Sequence, residues 1–276
     1  IASTRYEMGR HDPERWSNWN KNLIKISKDP RNVVAANNLY DAKYIEYFTD
    51  IKPLLLPSYC GYISEWYNAS REEFLLAPIH HEYFQKTFLD QFWEAVHKVG
   101  SSVKIVPLHE KYPHYQYSDL TAHPGIVYVP YQVSVISLLE QYRMNIPLFF
   151  PSLDLLTEWQ YTHHVMSERT WSQVHGRMPN GSPLPGVRMG EPDPNNEMSR
   201  EAIRHWIQYS DFYQFPHIIH YDSILDLVVK MRKTDLKTVS FRMRDYNVKF
   251  KEELLEKWAK ILKTVYRSSE NHKTKT

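Results

Sequence analysis

Large apolar side chains recur every four residues at Phe84, Phe88, Phe92 and Val96, a spacing that predicts a helix over residues 82–99. Short apolar runs without that period, 74–78 and 103–108, flank it and read as buried strands. The alternation continues downstream. A helical turn is predicted at 118–122, a strand at 126–129, a helix from 134 to about 144 and a strand at 146–150. A helix at 152–163 then carries Leu155, Leu156 and Trp159 together. Only seven residues run from Arg143 to Phe149, too few for an antiparallel meander. The pattern predicts an α/β fold with a Rossmann-like, mostly parallel sheet flanked by helices.

The ends of the chain are less regular. A helix carrying Trp16 and Trp19 reaches Ile26, followed by a strand at 32–36, a helix at 41–48 and a short buried run at 53–57. Two strand–helix steps cannot close a doubly wound domain. Residues 1–66 therefore read as a partial N-terminal region and linker, and 67–266 as the Rossmann-like domain. Residues 165–198, including MPNGSPLPGVRMGEPDPNN, form a long excursion rich in Pro, Gly and Asn and free to move. Helices follow at 199–209, 222–232 (capped by Asp222), 236–246 and 250–266, with a strand at 216–220 and a disordered tail at 267–276.

Composition narrows the function classes. A formal net charge of +2, from 34 basic and 32 acidic residues, gives no field for a nucleic-acid backbone. The lone Cys60 excludes an internal disulfide and any cysteine-based zinc site. No apolar run is long enough to span a membrane. Lack of disulfides leans toward a cytoplasmic protein, whereas Asn68-Ala69-Ser70 fits the glycosylation pattern of a secreted one. Aromatic content of 14% means large packing or stacking surfaces.

The stretch from Ile126 to Pro151 carries most of the functional reading. It is strand, tight loop, helix and strand, so strand ends and a helix start converge on one crevice. Ser134 is placed to cap the helix, with its hydroxyl and the amides of Val135 and Ile136 facing a phosphate; the alternative is a cap without a ligand. Glu140, among Leu138, Leu139 and Tyr142, either grips ribose hydroxyls or is a half-exposed helix residue paired with Arg143. Tyr131 lies in the loop between. His80 and His81 follow one strand, His109 and Glu110 the next, and His123 precedes the fourth. Each is either a phosphate or sugar donor or a loop histidine satisfied by backbone. Asp211, near Tyr213, reads as a chain anchor held by tyrosines. His163, His164 and His175 lack metal-ligand spacing, and no Gly-x-Gly-x-x-Gly, Walker or Gly-x-Ser-x-Gly motif occurs.

In the order of these features the chain resembles the GT-B glycosyltransferases. The likeness is carried by HPGIVYVPYQVSVISLLEQYRMNIPLFFPS from His123 and PHIIHYDSILDLVVKMR from Pro216, which look like a donor-binding C-terminal half. NVVAANNLYDAKYIEYFTDIKPLLLPSY from Asn32 looks like the end of a shortened acceptor-side N-terminal domain. The resemblance implies a nucleotide-sugar donor as substrate, transfer to an unknown acceptor hydroxyl, and no obligatory cofactor or metal. It places Ser134 at the diphosphate, Glu140 at the ribose and Tyr112 or Tyr115 beside the nucleobase. With His80, His109 and Tyr131 these residues form the candidate binding set; no catalytic residue is assigned. The chain departs from the family in lacking a glycine-rich diphosphate loop, and in Arg71, Lys111 and Arg143 not being forced toward the phosphates. A missing N-terminal portion or a homo-oligomer would complete the cleft. The alternatives are a catalytically inactive GT-B-like protein with a structural or partner-binding role, and another sugar-phosphate enzyme such as an epimerase.

Overall fold

A computed structural model describes residues 12–273. In chain order the elements are α1 (Pro13–Ser27), β1 (Ala35–Ala36), α2 (Leu39–Thr49), β2 (Leu54–Leu55), β3 (Phe74–Leu76), α3 (Glu82–Lys98) and β4 (Ile105–Pro107). Next come α4 (Leu108–Lys111), α5 (Tyr117–Thr121), β5 (Ile126–Val127), α6 (Ile136–Arg143), β6 (Leu148–Pro151) and α7 (Leu153–His163). The chain ends with α8 (Trp171–Val174), α9 (Arg200–Ile207), α10 (Asp211–Gln214), β7 (Ile219–Tyr221), α11 (Ile224–Lys233) and α12 (Leu236–Lys273).

Five strands form one parallel sheet in the order β4-β3-β5-β6-β7, flanked by helices. Leu75, Ile126, Val127, Leu148 and Phe149 are fully buried, as parallel strands covered on both faces must be. Burying each such side chain contributes about 1.5–3 kcal/mol. The expected α/β architecture is thus present. The first 60 residues supply a separate parallel pair, β1 with β2, yet share the main core. Tyr40, Tyr44 and Tyr47 on α2 pack edge-on against Trp206 of α9.

The order of the sheet matters for function. From β3 the chain goes outward to β4, then returns past β3 to build β5, β6 and β7 on the other side. Between β3 and β5 the connections diverge, and the carboxyl ends of strands at such a switch point are where α/β folds place ligands.

Several boundaries differ from the sequence expectation. The two final helices are one, because no Pro or Gly separates them and mid-helix Asn247 is satisfied by the Tyr142 carbonyl and Asn145 Oδ1. That helix also continues through Lys273, into the segment expected to be disordered; residues 274–276 lie outside the described residues. Ser223, not Asp222, caps α11 by accepting from the Asp226 amide, while Asp226 accepts from the amide of Asp222. The excursion 165–198 is pinned. Arg169 and Glu197 form an ion pair at 2.8 Å with both side chains fully buried, and Arg169 also donates to the Pro194 carbonyl.

Candidate binding site

The register of the sheet brings two side chains together at this switch point. Leu76 pairs with Val127, and His80 and Tyr131 each lie four residues beyond that pair. Both side chains therefore emerge together at the carboxyl ends of adjacent strands. Their rings stack at 3.6 Å with an interplanar angle of 6°. Two further residues complete the cluster. Glu168 donates its backbone N–H to the Tyr131 carbonyl at 3.1 Å, which brings its carboxylate 3.9 Å from His80 Nδ1. Gln132 donates its side-chain amide to the other oxygen of Glu168. The carboxylate beside the imidazole and the stacked phenol ring together orient His80, whose ring nitrogens can donate to or accept from a ligand.

Glu140 occupies a second polar position, between α6, α5 and the linker. Its Oε1 accepts from the hydroxyl of Tyr62 at 2.5 Å and of Tyr117 at 2.8 Å. The hydrogen bond to Glu140 raises the Tyr62 phenol; burial, then Glu140, pushes Tyr117 up to about 12. Both therefore stay donors at neutral pH. Tyr115 is held up by burial and by the same carboxylate. The expected pairing with Arg143 does not form. Arg143 lies instead between the rings of Tyr59 and Trp66, 4.7 Å from each centroid.

Ser134 does not cap the helix. Val135 holds that position without a side-chain hydrogen bond, and α6 starts at Ile136. The Ser134 hydroxyl turns away to donate to the carboxylate of Asp211. Asp211, 2% exposed, is held by this serine rather than by tyrosines. Burial pushes its carboxyl up to about 7, the Ser134 hydrogen bond opposing that rise. The space enclosed by Tyr131, Ser134 and Phe212 is about 10 Å³, room for no more than a water.

The remaining residues do not join either cluster. Tyr112 bonds His123 Nε2 at 3.0 Å, while His123 Nδ1 meets the Glu73 carbonyl at 2.7 Å. Burial lowers the His123 imidazole. Lys111 pairs with Glu73, so this corner is a closed structural network. His109 is exposed on α4 and makes no side-chain hydrogen bond among the described residues. His81 caps α3 by accepting from the Phe84 amide. Among the described residues no three His, Cys, Asp or Glu side chains converge as metal ligands, and no helix is long and apolar enough to cross a membrane.

Sequence reasoning missed Gln132 and Glu168. Gln132 stands next to Tyr131, and adjacency to a strand-end loop is the signal that would have found it. Glu168 carries no such signal, because a backbone contact across the fold brings it in. The chain matches no protein-family model, no curated protein and no solved structure.

Proposed function

We propose that the protein binds a nucleotide-sugar donor at the carboxyl edge of the five-stranded sheet and acts as a GT-B-like glycosyltransferase, moving the sugar to an acceptor hydroxyl. The observation that carries this reading is Glu140. Two phenols fix one carboxylate oxygen, and its Oε2 makes no hydrogen bond among the described residues. An oriented carboxylate with an unengaged oxygen, bordered by tyrosine rings, suits a ribose diol with a stacked base. The His80–Tyr131–Glu168 cluster then serves the phosphates or the sugar, His80 donating. No step requires a metal: the leaving diphosphate would be stabilised by hydrogen bonds and the α6 amides.

One observation favours a second reading, a GT-B-like protein that has lost catalysis and serves as a binding partner. The space at the start of α6 is nearly closed, and Ser134 is engaged with Asp211. Moreover, Lys111 is paired with Glu73, and Arg143 lies in a groove with residues 59–69 and α12, away from the start of α6.

Calorimetric titration with UDP, GDP, ADP, CMP and their sugar conjugates separates the readings. Saturable binding of one nucleotide that Glu140→Gln weakens about tenfold or more, without loss of fold, supports the donor site. Slow sugar release from the bound conjugate would add catalysis. Absence of binding across the panel by folded protein sinks the donor reading and leaves the partner-binding one.

A further inference from the structure

A second concave surface lies at the opposite end of the sheet, where the chain enters β3 and β6. It is a groove of about 860 Å³ between residues 59–69 and α12. Tyr59 and Trp66, with Arg143 between them, line one wall. From α12, Phe241, Val248 and Leu255 enter at intervals of seven residues and are 61%, 55% and 58% exposed. Leu262 continues the same row. Lys237, Arg244 and Lys251 stand four residues before each member, forming a parallel basic row inside the groove.

No carboxylate among the described residues partners these cations. Lys237, Arg244, Lys251 and Arg143 make no ion pair among the described residues, and the buried Nε of Arg143 has no acceptor. Against four cations the groove sets one carboxylate, Glu252. An apolar row beside unpaired positive charge, with an orphaned guanidinium N–H, calls for an occupant that brings both apolar side chains and carboxylates.

We propose that this groove docks an amphipathic helix of another polypeptide, acidic along the edge that faces Lys237, Arg244 and Lys251. A seven-residue repeat on α12 matches the repeat of a facing helix, and Phe241 to Leu255 spans about 21 Å of axis. A helix laid in a groove reads such anchors directly. The groove is concave, so a flat bilayer cannot meet the α12 row and Arg143 at once. A second copy is opposed by charge, because an isologous contact sets the same net positive patch against itself.

The test uses the full chain and a fluorescent synthetic helix about three heptads long, with Leu at the seam and Glu along the flanks. Saturable anisotropy is expected, weakened about tenfold or more by Arg244→Glu with Lys251→Glu, and reduced by salt. Phe241→Asp should weaken it independently, with circular dichroism confirming that each variant folds. A matching peptide with Lys flanks should not bind. The proposal is overturned by no saturable binding, by equal binding of the Lys-flanked peptide, or by indifference to charge reversal. Sedimentation showing a dimer of the chain alone that the charge reversal dissociates assigns the groove to a second copy. Equal affinity for phosphatidylserine vesicles assigns it to lipid. Either result also overturns it.

Discussion

Ser134 donates its hydroxyl to the buried carboxylate of Asp211, tying the loop after β5 to the start of α10. The Asp211 amide returns a hydrogen bond to the Val133 carbonyl at 3.0 Å, so the two segments are cross-linked twice. Ser134→Ala removes the donor and leaves a buried acceptor unpaired. The expected loss is about 1–3 kcal/mol, whereas a helix cap facing solvent would cost about 1. The hydroxyl also favours the ionised carboxylate, so the loss should be larger at pH 8 than at pH 5. Urea melts at the two pH values check this; an equal loss at both would contradict the Asp211 contact.

Asp211 itself makes stability depend on pH. Its carboxyl is held up at about 7 by burial, while an unfolded chain titrates it near its ordinary value of about 3.9. Between these values the folded state keeps a proton that the unfolded state has released. The contribution is therefore complete below about pH 4 and is lost as pH rises toward about 7, in total roughly 4 kcal/mol. Asp211→Asn retains an acceptor for Ser134 but cannot ionise. Its stability should fall less than that of the wild type between pH 5 and pH 8, and parallel curves would refute the assignment.

The contrast between Ser134 and His80 shows where sequence reasoning reaches and where it stops. Strand ends were legible: the apolar runs before His80 and Tyr131 fix the parallel register, and the register brings the two rings together. The direction of a short side chain was not. A serine before a helical period reads as a cap, but here Asp211, 77 residues away, competes for its hydroxyl. Glu140 reads as a ribose contact or as a helix residue paired with Arg143, but its partners are Tyr117 and Tyr62, the latter from a linker without periodicity. The same limit hid the anchoring of the excursion. Its Pro and Gly content describes the backbone, and nothing local announces that Arg169 and Glu197 meet across it. Asn145, by contrast, ends α6 by a local rule: it adopts a left-handed conformation, φ 61°, which asparagine tolerates.

The Arg169–Glu197 pair gives a direct measure of that anchoring. With both side chains fully buried, truncating Glu197 takes a carboxylate away from a buried guanidinium. Glu197→Ala should cost about 3–5 kcal/mol. If the excursion is closed by this pair, limited proteolysis of the variant should cut within 176–195 under conditions where the wild type resists. Exposed Arg200–Glu158, at 2.9 Å, is the control. Its loss should cost about 0–1 kcal/mol and leave the cleavage pattern unchanged.

Glu140 and Tyr117 should be energetically coupled before any ligand is present. Tyr117→Phe keeps the ring and removes one donor to Oε1; Glu140→Gln keeps the shape and removes the charge that strengthens the bond. A double-mutant cycle by urea denaturation should return a coupling of about 1 kcal/mol, because each single change already forfeits the same interaction. Tyr62→Phe should couple more weakly, since Tyr62 is 65% exposed and water replaces its hydroxyl at little cost. Nucleotide binding then separates scaffold from site. If the diol uses the unengaged Oε2, Tyr117→Phe should change affinity far less than Glu140→Gln does. Equal losses would mean that the phenol–carboxylate pair, rather than the carboxylate alone, forms the recognition surface.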